Sequence, residues 1–236
     1  MNAPVKAVFY DAGNTLLRPV AELPEVLARA CGERGIGLKP RHFQKPLLIE
    51  LQRSDSEARK DSTFWGSEVG ARQMWMDLFR RILTRCGLDG EIPHISRRVY
   101  DFFGDPASWT TFPEVLPTLQ AVKDLGLIQG IVSNWNPGLD NICRSTGISE
   151  YVDFVLASGA LGRAKPYPHI FEAALARASV PAENCLHVGD QYYADIIGAR
   201  TASIRAVLVW RYGPIPKLDC LAVRGLGDIL PLLIQA

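Results

Sequence analysis

The sequence lacks several things, and each lack removes a class of explanation. It has no CxxC pair, and its five cysteines, Cys31, Cys86, Cys143, Cys185 and Cys220, are odd in number and far apart. Buried reduced thiols are therefore expected, rather than a disulfide framework or a thiolate metal site. No apolar run approaches the ~20 residues that a membrane-crossing helix needs. Neither sign of charge dominates, with 26 Lys and Arg against 25 Asp and Glu, so nothing favours a nucleic-acid patch or an anionic membrane surface as partner. His42, His94 and His169 are scattered, which makes a zinc site improbable. Repeats and low-complexity tracts are missing. The stretch MNAPVKAVFYD has no signal-peptide layout, because its apolar run is short and ends in Asp11. The expectation is a cytoplasmic protein that meets neither membrane nor nucleic acid.

What is present is 236 residues, of which 47% are hydrophobic. That is enough for one large domain, or a domain with an insert. Apolar runs at 5–10, 128–132, 185–188 and 206–210, with a weaker one at 154–157, read as buried strands. Helical patterns separate them. Leu116, Leu119, Val122 and Leu125 recur at helical spacing before Gly126, and Ile170, Phe171, Ala174, Leu175 and Ala178 do so behind Pro168. Strands alternating with helices predict an α/β fold, a parallel sheet covered on both faces.

One segment breaks the alternation. From about 20 to 105 there is no strand pattern. Val26, Leu27, Ala30 and Cys31 form one helical stripe; Val69, Trp75, Met76, Phe79, Ile82, Leu83 and Cys86 form a longer one. The expected organisation is a core of residues 1–19 and 106–236 with an all-helical insert, 20–105, and a return linker near 106–113. Trp65 and Trp75 are expected in the core of that insert, and His187 packed within its strand.

Four strand ends carry polar groups: Asp11, the Ser133-Asn134 pair, Lys165, and Asp190 with Asp195 in GDQYYAD. In a parallel sheet the carboxyl ends share one edge, where ligands bind. A carboxylate nucleophile, a hydroxyl, an ammonium and further acids suit a phosphoryl group with a hard cation such as Mg²⁺, which takes oxygen ligands.

DAGNTL at 11–16, SNW at 133–135, KP at 165–166 and GDxxxxD at 189–195 together resemble the haloacid dehalogenase superfamily, in the branch with a helical cap after the first strand. One such motif is weak and four in order are strong. The resemblance covers nearly the whole chain and implies a Rossmann-like core with a helical cap, a hydrolase, usually Mg²⁺, and a small phosphorylated or otherwise anionic metabolite as substrate. It matches Asp11 to the nucleophile, Thr15 and Ser133 to phosphate-binding hydroxyls, with Asn134 beside them, and Lys165 to the charge neutraliser. Asp190 matches a metal ligand and Asp195 the acid supporting the metal shell.

The departure is Gly13. Phosphatases of this family usually carry a second aspartate there, which protonates the leaving oxygen and then activates water. Gly13 keeps a backbone carbonyl for the metal but loses the acid, a group that contributes ~10²–10⁴-fold. Asn14, next to it, tolerates a left-handed turn. The leading expectation is a phosphatase-type enzyme acting through an aspartyl-phosphate on Asp11, slow or restricted to good leaving groups such as acyl phosphates. The alternatives are a phosphate-binding or interaction module without turnover, a 2-haloacid dehalogenase, and a phosphonate hydrolase using a cap lysine (Lys39, Lys45 or Lys60). Asp190 argues against the dehalogenase, whose last motif lacks this aspartate. Tyr167 replaces a possible helix-capping acid in KPYP.

Overall fold

The computed structural model describes residues 3–234. In chain order its strands and helices are β1 (Ala7–Tyr10), β2 (Leu17–Pro19), α1 (Leu23–Gly32), α2 (Arg41–Lys60), α3 (Glu68–Arg85), α4 (Ile92–Gly104), β3 (Trp109–Thr111), α5 (Val115–Asp124), β4 (Ile128–Ser133) and α6 (Leu139–Ser145). Then follow β5 (Phe154–Ala157), α7 (Ser158–Leu161), α8 (Pro168–Ala178), β6 (Cys185–Gly189), α9 (Gly198–Thr201), β7 (Arg205–Val209), β8 (Leu221–Val223) and α10 (Leu230–Ile234).

Six strands form one parallel sheet in the order β5-β4-β1-β6-β7-β8. β1 is central, with Tyr10 opposite Ile131 of β4 and Val188 of β6. Its four residues are buried on alternating faces. Val8 and Tyr10 join a cluster with Val115 and Leu119 of α5 and Leu139 of α6, while Ala7 and Phe9 join another with Ile170, Phe171 and Ala174 of α8. Burial on both faces is why β1 reads as a continuous apolar run rather than an alternation.

The strands differ from the expected runs at their ends. β1 starts at Ala7, β4 extends to Ser133, β6 to Gly189, and β7 stops before Trp210. Three strands were not expected: β8 at the sheet edge, and the antiparallel pair β2 and β3, in which Leu17 faces Thr111 and Pro19 faces Trp109. Three residues are too few to show a period. The β2–β3 pair ties the departure of the chain from the sheet to its return.

Between β2 and β3 every regular element among the described residues is helical. These helices pack on their own cluster, which includes Leu27, Phe43, Phe79, Ile82, Ile95 and Val99. Val69 was expected in it but is 76% exposed, because it lies in the first turn of α3, outside the packed stretch. Cys86 and Cys220 are only half-buried, unlike Cys31, Cys143 and Cys185.

α2 is joined to α3 by charge. Glu50, 1% exposed, accepts from Arg81 Nε at 2.9 Å and from Arg85 Nε. Burial pushes this carboxyl up, but the Arg85 hydrogen bond and the Arg85 and Arg81 charges hold it below its ordinary range. Glu50→Gln is expected to cost ~1–3 kcal/mol, as for a buried charged hydrogen-bond partner, and to lower Tm by roughly 2–4 °C for each kcal/mol. Since the folded pKa is depressed, this contribution is complete above the unfolded value of about 4.3. It is lost as pH falls through the folded pKa. Melts of both proteins from pH 7 downward should show the gap closing only below about pH 4.3; a gap of constant size would contradict the ion pair.

Candidate active site

β1, β4 and β6 end side by side, so the residues that follow them meet. The Asp11 amide donates to the Val188 carbonyl at 2.8 Å, which continues the sheet register for one residue and fixes the side chain at the edge. Asp11 Oδ1 accepts from Ser133 Oγ at 2.9 Å and from Lys165 Nζ at 2.5 Å. Both bonds fall on the same oxygen. Lys165 Nζ also reaches Asp195 Oδ1 at 2.5 Å. Its backbone is held by Asn134, whose amide oxygen accepts from the Lys165 N–H at 2.7 Å and whose amide nitrogen donates to the Lys165 carbonyl at 2.9 Å.

Asp195 is engaged on both oxygens. Besides Lys165, His187 Nε2 lies 2.9 Å from Oδ1, and the Gln191 amide donates to Oδ2 at 2.9 Å. It stands in a wide helical turn, Tyr192–Ile197, that folds back against the end of β6. Gly189 makes this possible: a Cβ there would sit 2.1 Å from the Asp195 carboxyl carbon. The glycine of the GD pair is thus required by close approach.

One carboxylate oxygen each from Asp11, Asp190 and Asp195 lie within 4.8 Å of one another. Asp190 Oδ1 is buried with no hydrogen-bond partner, as is Thr15 Oγ1. Burial, then the nearby Asp11 and Asp195 charges, push the Asp190 carboxyl well above its ordinary range. Burial also pushes Asp11 up, against the pull of Lys165. Burial pulls Lys165 down, but the Asp11 and Asp195 charges outweigh it and keep the ammonium protonated. Burial likewise works against ionised Asp195, yet Lys165 and His187 hold it below the usual carboxylate range. Burial pulls His187 down, against the opposing pull of the Asp195 hydrogen bond and charge. Three carboxylates thus face one ammonium. An orphaned buried oxygen in an acid-rich cluster is the chemistry that a hard divalent cation satisfies.

The first-motif turn is pinned from the segment just after β7. Arg211 donates from Nε to the Asn14 carbonyl at 2.9 Å and from Nη2 to the Thr15 carbonyl at 2.6 Å, while Nη1 pairs with Glu114 at 2.6 Å. Asn14 has φ 54°, the left-handed conformation its residue type tolerates. Gly13 is not left-handed. Its neighbour is instead the ring of Trp135: a Cβ at Gly13 would lie 3.2 Å from Trp135 Cζ3. Trp135 packs edge-on to Trp109 at 4.9 Å between centroids, and Trp109 Nε1 donates to the Phe103 carbonyl at 2.9 Å.

A cavity of about 460 Å³ opens onto Asn134, Lys165 and Asp190. Trp65, Asp55 and Arg59 border it from the helical segment, and Tyr192, Tyr193 and Trp210 from the sheet side. Trp65 therefore faces the site, while Trp75 packs between it and Phe79.

A family model for haloacid dehalogenase-like hydrolases matches residues 5–203. The chain belongs to that family. It is 30% identical over 213 residues to haloacid dehalogenase-like hydrolase domain-containing protein 3 of Danio rerio, covering 89% of this chain and 87% of the relative. It is 33% identical over 218 residues to glyceraldehyde 3-phosphate phosphatase of Pyrococcus furiosus, covering 91% of this chain and 84% of that protein. Among solved structures, an L-2-haloacid dehalogenase matches with TM-score 0.76 at 22% identity, covering 99% of this chain and all of the other; that likeness is one of fold.

Within this haloacid dehalogenase-like frame the sequence motifs converge on one edge of the sheet. Three participants were not anticipated. His187 reads as a core residue because its strand neighbours are apolar. Arg211 follows a strand in an ordinary surface pattern. Trp135 belongs to a quoted motif, but only the turn geometry shows which residue its ring covers. His187 alone had a signal, lying eight residues before Asp195 across a strand end.

Proposed function

We propose that the protein is a Mg²⁺-dependent phosphatase-type hydrolase that passes through an aspartyl-phosphate on Asp11, without a side-chain acid at position 13. The observation that carries this reading is the unpartnered, buried Asp190 Oδ1 beside Asp11, in a cluster whose lysine is already engaged by two carboxylates. Asp11, Asp190 and the Gly13 carbonyl would hold Mg²⁺, which supplies positive charge to the phosphate oxygens and to the approaching carboxylate. Asp195, with both oxygens occupied by donors, orients Lys165 from outside the metal's own ligands.

In the proposed sequence Ser133 and Lys165 fix Asp11 through Oδ1, leaving Oδ2 untied by any donor among the described residues. A carboxylate oxygen of Asp11 attacks phosphorus, and the leaving oxygen departs with its electron pair. Lys165 offsets the charge that gathers on the phosphoryl group. Asn134 keeps Lys165 in place rather than reaching the phosphate itself; the free Thr15 hydroxyl is a donor for a phosphoryl oxygen, and Ser133 becomes one only when its single proton turns from Asp11 to the phosphoryl group. Water then attacks the aspartyl-phosphate. The helices of 20–105 act as the cap that covers this chemistry, through contacts such as Ser158 Oγ donating to the Trp65 carbonyl at 2.7 Å.

Small phosphorylated metabolites are the substrates this supports, in keeping with the phosphatase named among the relatives. Lys39, Lys45 and Lys60 are exposed, and none borders the cavity, which weighs against an imine-forming phosphonate hydrolase. A second reading, a phosphate-binding module without turnover, is favoured by one feature: the place beside Gly13 is filled by Trp135 rather than by an acid.

Calorimetric titration of Mg²⁺ with a phosphate mimic tests the site. Asp190→Ala should weaken Mg²⁺ binding by more than the roughly 10–100-fold typical of groups outside the metal's ligands. Unchanged affinity would remove Asp190 from the metal and the proposal with it.

A further inference from the structure

Resting on the aspartyl-phosphate reading, we propose that the preferred substrates are phosphate esters of ring hydroxyls, aryl phosphates, with the cavity between the helical segment and the sheet receiving the flat, uncharged leaving group. Two independent features lead there. The first is chemical. With Gly13 in place of an acid, and Trp135 filling the space beside it, the leaving oxygen departs unprotonated. Phenolic oxygens, with pKa about 10 as for tyrosine, leave far more readily than alkoxides.

The second feature is the cavity. Its walls carry four aromatic rings, Trp65, Tyr192, Tyr193 and Trp210. The rings are already in position. Tyr192 donates to Asp219 at 2.6 Å, Tyr193 lies under the Arg59 guanidinium at 5.9 Å, and Trp65 meets Trp75 edge-on at 5.9 Å. Preformed aromatic faces take flat rings at little ordering cost. Trp210 lines the cavity, and its indole N–H is buried without an acceptor.

Charge on the same walls points away from a second anionic group. Arg59 is paired with Asp55 at 2.9 Å, and Lys165 is engaged by Asp11 and Asp195. Among the described residues, no unpaired cation borders the cavity to meet a carboxylate or a second phosphate on the substrate. Amino-acid phosphates and bisphosphates therefore fit less well than an uncharged ring.

In the reaction the P–O bond to the ring breaks as the bond from Asp11 to phosphorus forms, and the electron pair leaves on the phenolate. Water later attacks phosphorus, returning the Asp11 carboxylate with inorganic phosphate and a proton as the other products.

The test crosses ring with leaving group, using phenyl, benzyl, acetyl and ethyl phosphate with Mg²⁺. Phenyl phosphate should have the highest kcat/KM. Benzyl phosphate should bind as a competitive inhibitor, since it keeps the ring but has an alkoxide leaving group. Tyr193→Ala should raise KM for phenyl phosphate about tenfold and for acetyl phosphate much less, with Tyr193→Phe restoring the wild-type KM. Turnover of acetyl phosphate with no preference for phenyl phosphate overturns the inference and leaves the aspartyl reading standing. No Asp11-dependent turnover of either compound overturns both.

Discussion

Asp11→Asn is expected to lower kcat by ~10⁴-fold or more for every substrate the protein accepts, as loss of a covalent nucleophile does elsewhere. An amide is a poor nucleophile and a neutral metal ligand, so both halves of the role proposed for Asp11 fail together. The fold should survive. Ser133 can still donate to the amide oxygen, and Lys165 keeps Asp195 at 2.5 Å as its carboxylate partner. A melt close to wild type with turnover at background is the expected pair of results. Normal turnover by carefully purified Asp11→Asn would mean that another group carries the reaction.

The next largest effect concerns position 13, and the structure changes how it must be sought. Restoring the acid by Gly13→Asp meets no left-handed backbone. The obstacle is the Trp135 ring, 3.2 Å from the new Cβ and braced by Trp109. Gly13→Asp alone should therefore gain little, because its carboxylate competes with the indole for the place beside the leaving oxygen. Gly13→Asp with Trp135→Ala opens that place. For an alkyl phosphate such as benzyl phosphate, the double variant should approach the ~10²–10⁴-fold of general acid catalysis. For acetyl phosphate the first step should gain little, since its leaving carboxylate needs no proton. Single-turnover rates separate that step from the hydrolysis that follows. A folded, Mg²⁺-binding double variant without gain on any alkyl phosphate would favour the module without turnover.

The legibility of the site in the sequence follows from strand geometry. Asp11, Ser133 and Asp190 sit at or just past the ends of apolar runs, and parallel strands bring such positions to one edge without any need to know the loops; Lys165 lies beyond α7, and its motif rather than strand geometry made it legible. Contacts across loops are another matter. The chain places Lys165 and Asp195 at one edge and His187 eight residues before Asp195, but it does not say that Asp195 will be wrapped by Lys165, His187 and the Gln191 amide together, because those partners meet only once the turn after β6 has folded back over Gly189. The same holds for Trp135 over Gly13. The sheet was legible because β1, β4 and β6 are buried on both faces; β2, β3 and β8 were not, since three residues that are mostly half-buried or exposed show no pattern. Val69 failed because helical spacing predicts a face, whereas packing covers only the part of that face that a neighbour reaches.

The central claim is that a phosphoryl group rests on Asp11 during turnover and waits there for want of an acid–base partner. Rapid chemical quench of the Mg²⁺-loaded protein with acetyl phosphate, followed by mass analysis of the intact chain and its fragments, tests it most directly. The account predicts one added phosphoryl group, mapped to Asp11, building up before steady state. The group should be missing from Asp11→Asn and short-lived in the Gly13→Asp/Trp135→Ala protein. Turnover with no phosphorylated chain at any time, or a phosphoryl group on another residue, would contradict it.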